Sequence, residues 1–354
     1  MNLSSKKYRV LISGITGQTG SYLADLLIKQ GHEVHGLVRR ASSFSRSRIE
    51  HLRCDSNIYG TSLFLHYADL SDSTTIRRLI SDISPHEIYH LAGQSHVGLS
   101  FEIPESTLRE VAMATLSMIE IVRDLSNPPR VFHASSAEVF GEALSYPQNE
   151  NSPFRPVNPY GCSKVFSTNI LQVYRRTYDL FICNGILYNH ESPRRSESFV
   201  TRKITLAAAK LALGGSQILR LGNIDACRDW GYAPEYADFM VRSLRHDEPG
   251  DYVVSTGTLT SVRDFVKEAF KSLGINICFE GSGLNEVGID TCSGETILKI
   301  DPQYYRPVDS FNLVGDSSKA HNVIGWRPSV VGGDLAKIMA KADFEIEAKR
   351  CPHD

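Results

Sequence analysis

A glycine-rich turn, Gly14-Ile15-Thr16-Gly17-Gln18-Thr19-Gly20, follows directly on the apolar run Tyr8-Ser13 and leads into a helical pattern from Ser21. Glycines at that spacing, between a strand and a helix, suit a dinucleotide-binding turn. Gly14 permits the tight bend, Gly17 lets backbone approach a pyrophosphate, and Gly20 allows helix and strand to pack closely. The helix N-terminus adds N–H donors and a positive dipole end. Thr16, Gln18 and Thr19 are the polar side chains available beside such a ligand. An ordinary glycine turn is the plainer alternative.

The runs Glu33-Val38, Leu63-Tyr67, Glu87-Leu91, Arg130-Ala134 and Leu180-Leu187 also read as strands, with helical patterns Ser21-Gln30, Ser73-Ile83 and Glu110-Leu125 between them. Regular alternation predicts βαβ units and an α/β fold with a doubly wound parallel sheet of the Rossmann kind. After about residue 190 the alternation weakens, and helices Val200-Leu213 and Ser261-Leu273 stand among short strands and loops. The expected organisation is a nucleotide-binding domain over 1–188, with a returning segment near 220–260, and a smaller, loop-rich lobe over 189–354 that mainly binds substrate. A length of 354 residues fits about two such lobes.

Charge narrows the partners. The 38 Lys+Arg and 40 Asp+Glu leave a formal charge of -2 and no polybasic stripe, so neither nucleic acid nor a membrane surface is expected as the main partner. The apolar run Val10-Leu11-Ile12 is too short for a signal-peptide core or a membrane span, and a cytoplasmic location is expected. Seven scattered cysteines with no Cys-x-x-Cys read as reduced thiols. Twelve histidines with no His-Glu-x-x-His give no metal site.

NAD sites usually carry an acidic residue at the end of the second strand, but here that strand ends Val38-Arg39-Arg40. Two guanidinium groups suit a 2′-phosphate and point to NADP; otherwise they form a solvated basic turn. Asp69, followed by Leu70, either accepts from the adenine amino group or caps a helix. Leu91 and Ala92 offer small backbone surroundings for the cofactor, with Gln94 and Ser95 next in line.

Tyr160 and Lys164 stand four apart in Asn158-Pro159-Tyr160-Gly161-Cys162-Ser163-Lys164, so on a helix they share a face. An ammonium beside a phenol favours the phenolate, which can take a proton from a sugar hydroxyl. Ser136 and Glu138, in Ser135-Ser136-Ala137-Glu138 at the end of the preceding strand, add a hydroxyl to hold the reacting oxygen and a carboxylate to remove a carbon-bound proton. A helix-terminal surface carboxylate is the alternative for Glu138.

These residues resemble the extended short-chain dehydrogenase/reductase superfamily and, within it, the GDP-mannose 4,6-dehydratase family. The likeness rests on 14–23 and 33–40, on Ala-Gly-Gln-Ser-His-Val at 92–97, and above all on Asn-Gly-Ile-Leu-Tyr-Asn-His-Glu-Ser-Pro-Arg-Arg at 184–195. Phe199-Ile204, Arg228-Asp229-Trp230-Gly231 and Tyr305-Arg306-Pro307 continue it. The resemblance implies a redox-neutral dehydration of GDP-mannose to GDP-4-keto-6-deoxymannose by internal hydride transfer through NADP. Tyr160, Lys164, Ser136 and Glu138 would be catalytic. It further implies Ser95, Ser136, Glu138, Asn189, Glu191, Lys203, Arg228, Arg306 and Asp309 at the sugar nucleotide, and His190 and Arg195 at the cofactor or the GDP pocket, His190 being equally readable as a structural histidine.

A homo-oligomer is implied as well, a tetramer or a dimer, with the loop from Arg39 to about Arg48, including Ser42-Ser43-Phe44, reaching a neighbouring subunit. Ser136, Ala137, Ser106, Thr19 and Asp309 depart from the family pattern, and Ser106 and Asp309 bear on the shape of the pocket. A GDP-manno-heptose is therefore the alternative substrate. A 4-epimerase or reductase, the further alternative, has no need of Glu138.

Overall fold

Seven parallel strands form one sheet: β1 (Arg9–Ser13), β2 (Glu33–Val38), β3 (Leu63–Tyr67), β4 (Glu87–His90), β5 (Arg130–Ser136), β6 (Ile182–Leu187) and an edge strand, Asp251–Val254. The computed structural model describes residues 6–40, 47–304 and 313–350. In space the order is edge strand, β6, β5, β4, β1, β2, β3, and every neighbouring pair is parallel.

The strands are apolar along most of their length because both faces are covered. On one face Leu23 and Leu27 of α1 (Gln18–Lys29) pack with Phe239 and Met240 of the helix Ala233–Leu244. On the other lie Ile76, Ile80, Ile119 and Leu171. The chain reverses its direction of travel across the sheet between β1 and β4, and a crevice beyond the carboxyl ends of the strands is where open α/β sheets take ligands.

Several elements differ from their expected bounds by a few residues, and three of the differences bear on the site. α1 begins at Gln18 rather than Ser21, because Gly17 already occupies its N-cap. β5 continues through Ser136, where Ser135 and Ser136 still pair with Ile186 and Leu187. The stretch expected as one helix over Glu110-Leu125 opens with a π-helical turn, Arg109–Met113, before the α-helix Ala114–Arg123. The Val111 carbonyl in that turn accepts from the Thr115 hydroxyl at 2.7 Å.

The chain divides into two units. The first is Met1–Tyr188 with Ala233–Val254 and Gly315–Arg327; the second is Asn189–Tyr232, Ser255–Val314 and Pro328–Asp354. Within the second, the helices Val200–Ala212, Val262–Lys271 and Gly332–Arg350 bury Ile204, Phe265 and Met339 together with Leu298 of a four-stranded sheet. Among the described residues no helix is long and apolar enough to cross a membrane, and no group of three or more His, Cys, Asp or Glu could hold a metal ion.

Candidate active site

The turn after β1 is built on two steric demands. Gly14 sits at φ +80°, a region that side chains strain. A Cβ on Gly20 would overlap the Gly14 carbonyl oxygen, so only glycine lets α1 start this close to the strand. The Gly17 N–H donates to Gly14 O at 2.9 Å, and no side chain caps the helix at Gly17. Such a cradle, with backbone where a side chain would otherwise stand, fits a diphosphate.

The other sequence-selected groups of the first unit lie at the carboxyl ends of the neighbouring parallel strands. Arg39 and Arg40 are exposed just beyond β2, Arg39 3.6 Å from Glu110. Asp69 does not cap the helix that follows it; Asp72 does, accepting from the Thr75 N–H at 3.0 Å. Asp69 instead accepts from the hydroxyl and N–H of Ser71, which hold its carboxyl below the ordinary range. Leu70 is half-buried beside it. The N–H groups of Leu91 and Ala92 donate to Ser13 Oγ at 3.1 and 3.2 Å. Gln94 folds onto its own loop, donating to His96 O at 3.0 Å, and Ser95 is exposed.

The catalytic candidates converge where β5 ends. Ser136 accepts from the Glu138 N–H at 3.2 Å, capping the short turn Ala137–Val139 and leaving its own hydroxyl proton to donate. Glu138 is half-buried, and its Oε2 accepts from Asn158 Nδ2 at 2.7 Å. Asn158 Oδ1 in turn accepts from the Gly161 N–H at 2.7 Å and caps the helix Pro159–Tyr178. One carboxamide thus ties the carboxylate to the start of the helix that carries Tyr160 and Lys164. Both of these are buried, and Lys164 Nζ stands 5.7 Å from the centre of the Tyr160 ring. Lys164 donates to Ala134 O at 2.6 Å, and burial lowers its pKa to about 8.

The remaining described candidates belong to the second unit. Asn189 is exposed, and its carbonyl accepts from the Gly231 N–H at 2.9 Å. His190 is half-buried on a strand residue paired with Gly231. Glu191 is buried, 3.1 Å from Arg195 and bonded to the Thr201 hydroxyl; desolvation raises its pKa against the pull of both partners. Arg195 stacks on Phe199 at 3.5 Å, and Lys203 stands 3.6 Å from the centre of the Tyr304 ring. Arg228 is half-buried, donating to Cys227 O at 2.8 Å. Arg306, Asp309 and Ser42-Ser43-Phe44 lie outside the described residues.

A buried ion pair anchors the segment that carries Arg195. Asp343 pairs with Arg202 at 2.7 Å and accepts from the Thr205 hydroxyl at 2.6 Å. The Arg202 guanidinium also donates to the carbonyls of Pro193 and Arg195. Arg202 therefore clamps the segment that carries Glu191 and Arg195.

Two positioning residues escaped the reading of the sequence. Asn158 was legible as an N-cap, since Asn before Pro opens helices, but its grip on Glu138 joins residues 20 apart with no local signature. Gly161 stands in the same motif without a signal of its own. A Cβ there would stand 2.6 Å from the Glu138 carbonyl oxygen, so glycine is what lets the helix approach the turn.

A family model described as GDP-mannose 4,6 dehydratase matches residues 11–339. The GDP-mannose 4,6-dehydratase of Sinorhizobium fredii strain HH103 is 48% identical over 336 residues, covering 94% of this chain and 96% of that protein. The GDP-mannose 4,6 dehydratase of Homo sapiens is 44% identical over 340 residues, covering 95% and 91%. Among solved structures, the UDP-glucose 4-epimerase of Bifidobacterium longum in complex with NAD+ and UDP superposes with a TM-score of 0.77 at 22% identity, covering 96% of this chain and 99% of that one, a likeness of fold. The match along nearly the whole chain places this protein in the GDP-mannose 4,6-dehydratase family.

Proposed function

We propose that the chain eliminates water from GDP-mannose to give GDP-4-keto-6-deoxymannose, with NADP as its recycled cofactor. The observation that carries this reading is Glu138: its carboxylate is fastened by Asn158 to the helix bearing Tyr160 and Lys164, at the end of the strand bearing Ser136. An epimerase needs only the tyrosine and lysine. A carboxylate tied to the same pair is what removal of a carbon-bound proton requires.

The glycine cradle Gly14–Gly20 would hold the diphosphate of NADP, Arg39 and Arg40 its 2′-phosphate, and Asp69 the adenine. When bound, the cofactor supplies a hydride acceptor for C4 and returns hydride to C6. Tyr160, its phenolate favoured by the Lys164 ammonium, takes the 4-hydroxyl proton while Ser136 donates to that oxygen. Oxidation at C4 makes the C5 hydrogen acidic; Glu138 takes that proton and passes it to the C6 hydroxyl, which departs as water, and the return of hydride to C6 is balanced by a solvent-exchanged proton added at C5. Two bases of different character serve an oxygen acid and an activated carbon acid.

The second unit is read as the holder of the GDP moiety, with Arg195, Lys203 and Arg228 suited to diphosphate and ribose. A homo-oligomer is part of the proposal. Leu108, Met113, Phe166 and Val173 are exposed on packed helices, as a self-association surface requires. The unpaired cysteines among the described residues support a cytoplasmic location.

Incubation of GDP-mannose with catalytic NADP+ in deuterated water tests the reaction. Loss of one water, deuterium at C5 and no net NADPH are expected; a C4-inverted product or accumulating NADPH would overturn it, and faster loss of water from GDP-manno-heptose would move the substrate. Cofactor choice has its own test. Replacing Arg39 and Arg40 by Ala is expected to raise the Kd for NADP about 10- to 100-fold, the worth of a charge-assisted hydrogen bond or two. The Kd for NAD should change little, and equal losses for both would refute the assignment.

A further inference from the structure

A row of polar side chains crosses the centre of the sheet. Parallel register lines up Ser13, His90, His133, Asn184 and Asp251 on five neighbouring strands. The first four are buried. The face they share is covered by the helices Ala114–Arg123 and Pro159–Tyr178: His90 meets Thr115 on the first, and Ser135, two residues beyond His133, meets Thr168 on the second.

The hydrogen bonds fix where the protons are. Asp251 accepts from Arg175 at 2.9 Å, from Gln172 at 2.8 Å and from Asn184 Nδ2 at 2.7 Å. That turns Asn184 Oδ1 toward His133 Nδ1, 3.1 Å away. A carboxamide oxygen only accepts, so Nδ1 of His133 carries the proton and Nε2 keeps a lone pair. This Nε2 is buried without a hydrogen-bond partner.

His90 is the opposite tautomer. Ser13 Oγ already accepts two N–H groups, so it donates to His90 Nδ1 at 3.0 Å, and His90 Nε2–H donates to Thr115 at 3.2 Å. The rings stack 6.1 Å apart. Burial, and then the charge of Lys164, keeps both neutral: His90 falls to about 3 and His133 well below the histidine range.

Lys164 shows the complementary deficit. Its ammonium has three donors, and the hydrogen bond to Ala134 O, the residue next to His133, uses one of them. A buried cation with donors to spare and a buried imidazole with an unmatched lone pair act on each other on the same side of the sheet. No direct hydrogen bond joins them, and one buried water can serve both.

We propose that His133 is a positioning residue for Lys164, its Nε2 lone pair accepting through one buried water from the ammonium and so holding that group charged beside Tyr160. The proposal rests on the reading of Tyr160 and Lys164 given above. The titratable groups that bear on Lys164 are Tyr160 on its own helix, His90 on β4 and His133 on β5. Asp251, at the far end of the row, has its charge met by Arg175.

The test is an NMR titration of enzyme labelled with ¹³C at the lysine ε carbon, with Lys164→Arg identifying the signal. His133→Asn keeps a donor for Asn184 and deletes the Nε2 acceptor; His133→Gln restores an acceptor at that reach. The Lys164 pKa should fall by about one unit in His133→Asn and recover in His133→Gln. The alkaline limb of kcat/KM should move with it, a loss of about tenfold above that limb.

An unchanged Lys164 titration in folded His133→Asn, or an equal fall in both variants, refutes the proposal. Independently of any variant folding, ¹⁵N-histidine spectra of the parent protein must show Nδ1–H at His133 and Nε2–H at His90, and the reverse assignment at His133 would also overturn it. A Lys164 pKa that shifts while the activity profile stays fixed would uphold His133 and count instead against Lys164 in catalysis.

Discussion

Glu138→Gln is expected to bind NADP and GDP-mannose as the parent enzyme does and to lose water elimination by about 10²- to 10⁴-fold, the range for removing a positioned general base. The amide has the same shape, and its oxygen can still accept from Asn158 Nδ2, so the cap on the helix Pro159–Tyr178 stays in place. What disappears is the capacity to take a proton from C5. Oxidation at C4 depends on Tyr160 and should persist, so reduced nicotinamide builds up on the enzyme where the parent accumulates none. Solvent deuterium should no longer enter C5. Dehydration within tenfold of the parent rate would show that some other group is the base.

The second large effect is on stability. Asp343→Ala leaves the buried Arg202 guanidinium without its counter-charge, a situation that costs about 3–5 kcal/mol and lowers Tm by roughly 10 °C in a unit of this size. Because Arg202 also holds the carbonyls of Pro193 and Arg195, proteolysis should cut first within the segment 189–199. Calorimetry and timed digestion read the two consequences separately. The pair Arg202→Met with Asp343→Leu should recover much of the Tm, since removing both charges removes the desolvation cost along with the attraction. A Tm within 2 °C of the parent for Asp343→Ala alone would mean that the pair contributes little.

The parts of the site that the sequence displays are those whose physics is local. Gly14 and Gly20 are legible because a bend and a close approach within seven residues leave no other choice. Tyr160 and Lys164 are legible because helical period alone puts them on one face. β2 and β3 carry their own apolar pattern and lie where that pattern puts them.

The rest depends on register and strand order. His90, His133 and Asn184 each look like a solitary polar residue inside an apolar strand, and nothing in their own segments says that two parallel pairings set them side by side. The edge strand pairs with β6 across more than sixty residues of intervening chain. Arg202 and Asp343 meet through the packing of two helices far apart in sequence, so Arg202 was visible as part of a motif and its counter-charge was not.

The interleaving of the two units bears on how such a protein can be cut or recombined. The chain passes between them five times, and the first unit is complete only when Ala233–Val254 and Gly315–Arg327 have returned to it. A fragment ending at residue 188 would lack the edge strand and leave β6, buried along its whole length, with a bare row of N–H and C=O groups, inviting sheet-to-sheet aggregation. Exchanging substrate preference between relatives therefore calls for grafting three separate stretches, 189–232, 255–314 and 328–354, onto an unbroken scaffold, and a single crossover point would mix the two halves wrongly.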